Sequence, residues 1–203
     1  MDRNGIIVVG SGNTQGAVKQ TFPVYEPRTH LTSGGFSPMG WALPAALGAK
    51  LAKPDQQVVS IMGDGDFLMT MQEMAVAVMR NIPVVVVVAN NSGYMSIRGG
   101  QRKILGRHVA SEFNMPNGGA YTPDYKAVAK SFGMDSWRVE SDADLESTFK
   151  EALNCGGPAL VEIPTARDAA GAFVPGWWDF PVPAYHNEGH EEHAEGKALE
   201  QHL

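Results

Sequence analysis

Met62-Gly63-Asp64-Gly65, followed about one helix and one strand later by Asn90-Asn91, places two oxygen donors suited to magnesium at the ends of two apolar runs. Asp64 offers a hard carboxylate and Asn91 a neutral carbonyl oxygen, a partial shell for an ion that keeps phosphate and water as its other ligands. The glycines let backbone approach phosphate oxygens, and free amides at the start of a following helix bind the negative charge. The chemistry indicated is the binding of a phosphorylated cofactor. Taken alone, Gly63-Asp64-Gly65 also reads as a strand-to-helix turn with Asp64 as the cap.

For these donors to meet, the runs before them must be neighbouring strands. Ile6-Ile7-Val8-Val9 is a β-branched run that stops at Gly10-Ser11-Gly12-Asn13-Thr14, as a buried parallel strand does where it meets a ligand-facing loop and then a helix. Val58 to Met62 and Val84 to Ala89 repeat the pattern. Gly34 to Gly40 is a second flexible loop, leading into a helix over Trp41 to Leu51 that Pro54 ends. Helical spacing over Phe67 to Arg80, a helix over Pro123 to Phe132, a short strand at Trp137-Arg138-Val139, a helix over Asp142 to Asn154 and a strand over Ala159 to Ile163 complete the alternation. This predicts an α/β fold, a doubly wound, mostly parallel sheet with helices on both faces. Its ligands gather outside the carboxyl ends of the strands, where Gly10 to Thr14, Gly63 to Asp66 and Asn91 to Gly93 converge. Tyr94 to Thr122 reads as a long, glycine-bearing, basic connection.

With 203 residues, 43% of them hydrophobic, the chain has the composition of one domain with its own core. A formal charge of -6 argues against nucleic acid or an anionic membrane as partner. No apolar stretch approaches the roughly 20 residues that span a bilayer. The single Cys155 excludes an internal disulfide and a four-cysteine cluster, and fits a cytoplasmic setting.

Gly63-Asp64-Gly65 with Asn90-Asn91 resembles the thiamin diphosphate binding motif. Gly34-Gly35-Phe36-Ser37-Pro38-Met39-Gly40-Trp41-Ala42-Leu43-Pro44-Ala45-Ala46 is similar to the pyrimidine-side loop and helix of acetolactate-synthase-like enzymes and related 2-oxoacid decarboxylases. The resemblance is to their C-terminal diphosphate-binding domain. It implies Mg²⁺ coordinated by Asp64, the Asn91 side chain and the Gly93 carbonyl. Diphosphate contacts are implied for Ser11, Gly12, Asn13 and Thr14, with Gly63, Gly65 and Asp66 opposite them. Ser37 would present a carbonyl to the aminopyrimidine, and Met39 would wedge between the two rings and set the cofactor's conformation, its catalytic contribution. Tyr94 either borders the cofactor or packs as a loop aromatic. Two departures stand out. Asp66 replaces a small residue, so its side chain is expected to turn outward or cap the helix. Asn13-Thr14 replaces the Gln-His pair common in acetolactate synthases.

In that family a glutamate on a separate pyrimidine-binding domain promotes proton removal from the cofactor. Nothing here matches its context, Glu26 and Glu73 included. The resemblance therefore implies a diphosphate-binding subunit working with a separate pyrimidine-binding subunit, as a dimer of heterodimers, or else a fragment of a longer chain. The reaction implied is decarboxylation or carboligation of a 2-oxoacid. Alternatives are a subunit of a 2-hydroxyacyl-CoA lyase, acting on a 2-hydroxyacyl thioester, a 2-oxoacid:ferredoxin oxidoreductase β-subunit, and a non-catalytic regulatory subunit.

The chain divides into a cofactor domain over 1–165, an aromatic segment over 166–185 and a polar acidic tail over 186–203. Arg98, Arg102, Lys103 and Arg107 either meet a substrate carboxylate or coenzyme A phosphate, or form a solvated loop. Trp177, Trp178 and Phe180 form a lid or pack on a partner. His186, His190, His193 and His202 lie among glutamates and read as solvated tail rather than metal site.

Overall fold

The computed structural model describes residues 1–167. Six parallel strands form one sheet in the order β2-β1-β3-β4-β6-β5, with β1 Ile6–Val9, β2 His30–Thr32, β3 Val58–Gly63, β4 Val85–Asn90, β5 Asp135–Arg138 and β6 Ala159–Pro164. The continuous apolar runs of β1, β3, β4 and β6 are explained by burial on both faces. Ile6, Val8, Val58, Met62, Val86, Val88 and Leu160 pack on one side, while Ile7, Val9, Val59, Val87 and Val161 pack on the other.

The first face is covered by α2 (Ala42–Ala52), α4 (Met74–Met79) and α6 (Tyr125–Phe132), through Leu43, Leu47, Met74, Tyr125 and Ala129. The second is covered by α1 (Asn13–Thr21) and α7 (Leu145–Asn154), through Val18, Phe149 and Ala152. The expected doubly wound sheet is therefore present. The chain leaves β1 toward β2 on one side and later resumes at β3 on the other, so the loops after β1 and β3 face each other at the switch in strand order.

Three elements differ from the sequence expectation. The helix expected over 67–80 is broken into α3 (Asp64–Phe67), a 3₁₀ turn at Met71–Glu73 and α4. The break is held from outside, because the Thr70 hydroxyl donates to the Gly40 carbonyl at 2.9 Å. The connection after Tyr94 contains a helix, α5 (Met95–Leu105), closed by Gly106 in the left-handed conformation. Gln101 fastens it to the following loop by accepting from the Val109 amide and donating to the Val109 carbonyl. The edge strand β2 is too short and polar to announce itself by periodicity. No helix among the described residues is long and apolar enough to cross a membrane. Trp177, Trp178, Phe180 and the four tail histidines lie outside the described residues.

Candidate functional site

Asp64 opens α3 directly after β3, and the Asn91–Gly93 turn follows β4, its immediate neighbour in the sheet. Asp64 is 1% exposed, and Asn91 and Gly93 are buried with it. The Gly93 amide donates to Asp64 Oδ2 at 3.1 Å. One terminal atom of the Asn91 amide lies 3.1 Å from the Gly93 carbonyl oxygen and 3.3 Å from Asp64 Oδ1. With nitrogen on that side, these contacts are hydrogen bonds. Turned the other way, the Asn91 amide sets its oxygen beside the Gly93 carbonyl and Asp64 Oδ1, the arrangement a cation would need. One carboxylate, one amide and one backbone carbonyl form a hard-oxygen set that fits Mg²⁺. Among the described residues no cluster of three His, Cys, Asp or Glu side chains offers a competing metal site. Burial pushes the Asp64 carboxyl above the usual range, opposed by surrounding amides that favour its charged form.

The turn's shape has local causes. Asn90 Oδ1 accepts from the Ser92 amide at 3.2 Å, bending the chain through Ser92 at φ 56° and on to Gly93. A side chain at Gly93 would meet the Ser111 carbonyl at 2.7 Å, so the approach of the following loop requires glycine. Asn90 is accordingly a brace rather than a ligand. Its Nδ2 donates to Glu162 Oε1 at 2.8 Å and to the Thr122 hydroxyl at 2.6 Å. Glu162, a charged residue inside the apolar β6, is fully buried and also accepts from Arg138 Nη1 at 2.5 Å.

Beside this corner is an open cleft lined by Ser11, Gly12, Asn13, Met39, Gly63, Gly65, Asp66, Asn91, Gly93 and Tyr94. The structure thus brings together nearly all of the residues expected from sequence. Thr14 lies next to them, its hydroxyl 3.8 Å from where a Cβ on Gly63 would sit. The helix start at Gly12–Asn13 has no side-chain cap, which leaves its first amides for an anion. Ser37, at φ 46°, donates from its hydroxyl to Ser11 Oγ at 3.3 Å and accepts from Gln15 Nε2 at 3.1 Å, joining the two loops. Tyr94 packs edge-on against Phe113 with ring centroids 4.9 Å apart, and its ring lies where a Cβ on Gly65 would come within 2.5 Å.

Asp66 corrects an expectation. Its side chain neither turns outward nor caps the helix; it is 2% exposed and points between the Gly10 and Gly40 loops, accepting from the Gly40 amide. A Cβ at Gly10 would collide with its Oδ2, so glycine at position 10 makes room for it. Burial pushes its carboxyl up to about 6, against the Gly40 and Ser11 amides, which favour the charged form. Arg98 is also neither free for substrate nor solvated, since it pairs with Glu112 at 2.5 Å. Arg102 and Arg107 are exposed, and the Lys103 side chain lies outside what the structure describes.

Sequence reasoning missed Gln15, Glu162 and Arg167. Glu162 had a signal, a carboxylate within an apolar strand; Gln15 and Arg167 had none, because their partners are remote in sequence.

The profile of the family described as "Thiamine pyrophosphate enzyme, C-terminal TPP binding domain" matches residues 10–163. The chain is 35% identical over 175 residues to a probable acetolactate synthase large subunit of Methanococcus aeolicus, covering 86% of this chain and 28% of that protein. It is 34% identical over 163 residues to acetolactate synthase isozyme 1 large subunit of Escherichia coli, covering 80% of this chain and 28% of that one. Among solved structures, the thiamine diphosphate-dependent 4-hydroxybenzoylformate decarboxylase of Rhodococcus jostii RHA1 superposes with a TM-score of 0.72 at 28% identity, over 82% of this chain and 30% of that chain. The chain thus spans less than a third of the length of these relatives.

Proposed function

The chain belongs to the thiamine pyrophosphate enzyme family, matching its C-terminal TPP binding domain, and we propose that it forms the diphosphate- and Mg²⁺-binding half of an acetolactate-synthase-like decarboxylase or carboligase acting on 2-oxoacids. The observation that carries this is the burial of Asp64, Asn91 and Gly93 together at the ends of the adjacent strands β3 and β4, beside the cleft that Asn91 and Gly93 line with the uncapped start of α1.

When bound, thiamin diphosphate supplies the electron sink for breaking or making a carbon-carbon bond at a carbonyl. The residues of this chain bind and orient. Asp64, the Asn91 side chain and the Gly93 carbonyl hold Mg²⁺. Ser11 through its hydroxyl, the backbone amides of Gly12, Asn13 and Thr14, and Gly65 with the Asp66 amide take the phosphate oxygens. Met39 sets the angle between the rings, Ser37 offers its carbonyl to the aminopyrimidine, and Tyr94 walls the metal side. The inward Asp66 carboxylate is assigned to loop bracing, leaving only its amide for the cofactor.

Among the described residues, Asp66 is the one acidic residue lining the cleft, its carboxylate is taken up by the Gly40 loop, and neither Glu26 nor Glu73 lines it. A separate pyrimidine-binding subunit supplies that group in this proposal, the two chains assembling as a dimer of heterodimers. The test is reconstitution with such a chain, thiamin diphosphate and Mg²⁺. Turnover of a 2-oxoacid that is abolished by EDTA and restored by Mg²⁺ is expected; metal-independent cofactor binding contradicts the proposal.

A further inference from the structure

Arg167 lies just past β6, and its guanidinium gathers four oxygens of the turn and loop that shape the metal corner. Its Nε donates to the Asn91 carbonyl at 3.2 Å, Nη2 to the carbonyls of Ser92 at 2.9 Å and Phe113 at 2.6 Å, and Nη1 to Asn114 Oδ1 at 2.8 Å. Glu112, which also pairs with Arg98, places Oε2 3.7 Å from Nη1 and offsets part of the charge. The backbone leading to Arg167 follows the same turn, with the Thr165 amide donating to the Asn90 carbonyl at 2.7 Å.

The peptide oxygen of Asn91 lies beyond the end of β4 and is met by Arg167, while that of Ser92 accepts from the Phe113 amide at 2.9 Å as well as from Arg167. Four acceptors spread over two chain segments suit the five N–H donors of a planar guanidinium fork, whereas an ammonium has three donors on one atom. The contact joins Asn91 and Ser92 to Phe113, which packs on Tyr94, and so spans both sides of the turn that presents the Gly93 carbonyl.

We infer that Arg167 is a positioning residue, a clamp that holds the Asn91–Gly93 turn in metal-binding shape before any ion arrives. The functional part of this inference rests on the Mg²⁺ assignment above; the clamp itself does not.

The experiment has two arms, both on the full chain. Hydrogen exchange without metal or cofactor reads the clamp directly: R167A is expected to speed exchange on the order of tenfold in segments 90–94 and 111–114 while strand peptides of β1 and β3 keep wild-type protection. R167K is expected to recover little of it. Unchanged exchange in those segments, or an equal increase throughout the sheet, overturns the clamp. In the second arm, Mg²⁺ is titrated at fixed thiamin diphosphate with the partner subunit present. R167A is expected to raise the half-saturating Mg²⁺ concentration about 10- to 100-fold, with R167K close to R167A. Full recovery by R167K overturns the requirement for the fork. Metal-independent binding in the wild-type protein counts against the cofactor assignment instead, leaving the exchange result to decide the clamp.

Discussion

The corner around Asp64 and the loop over 33–40 border the same cleft, yet they are built in opposite ways. The corner is enclosed: Asp64 is 1% exposed, Asn90 ties β4 to buried Glu162, and Arg167 spans the turn from outside. The loop is open: Gly34 and Gly35 are exposed, Phe36 is 92% exposed, and the ties are those of Ser37 and Gly40. A metal ion demands fixed ligand positions, which buried hydrogen bonds supply within one chain. The loop presents Phe36 to solvent, on the side the proposed function gives to the partner chain. The proposed division of labour is in keeping with this contrast, with diphosphate and metal assigned to the corner and completion of the ring side to a partner.

Breaking the enclosed side has the largest expected effect. Glu162→Ala removes a buried carboxylate acceptor from both Asn90 and Arg138, which keep Thr122 and Glu140, and is expected to cost about 3 kcal/mol of stability, measured by denaturant unfolding. A loss below about 1 kcal/mol, the size of an ordinary substitution, contradicts a bracing role. Next is Asp64→Ala, which removes a proposed metal ligand and is expected to weaken Mg²⁺-dependent cofactor binding about 100-fold or more, above the range for groups that only support ligands. Calorimetric titration checks it, and unchanged affinity removes the metal assignment.

Effects on the open side are smaller and of another kind. Met39→Ala is expected to lower turnover about tenfold by loosening ring geometry, while diphosphate affinity stays near that of the wild type. Steady-state kinetics beside binding titration separates the two, and equal turnover ends the wedge assignment. The smallest effect on folding is expected from Phe36→Ser, within about 0.5 kcal/mol for so exposed a side chain. Its consequence is weaker association with the partner subunit, read by analytical ultracentrifugation.

The two sides also differ in how legible they are from sequence. Runs such as Val58 to Met62 mark buried parallel strands because both faces must be apolar, and a short polar motif at their ends marks a ligand site. That logic reaches Asp64, Asn91 and the Ser11–Thr14 loop. It does not reach Asp66, whose inward direction depends on Gly10 and Gly40 meeting in space. Nor does it reach the break before α4, which Thr70 fixes through Gly40, or α5, whose Gly99-Gly100 and basic residues mask a helix fastened by Gln101. In the first two, contacts remote in sequence override local propensity, and in the third a loop only eight residues on does so.

The most direct test of the division between the two sides is native mass spectrometry of the active complex purified through this chain, with 2-oxoacid turnover assayed on the same fractions. Activity is expected only where a second, pyrimidine-binding polypeptide accompanies this one in equal number; an active oligomer containing this polypeptide alone contradicts the account.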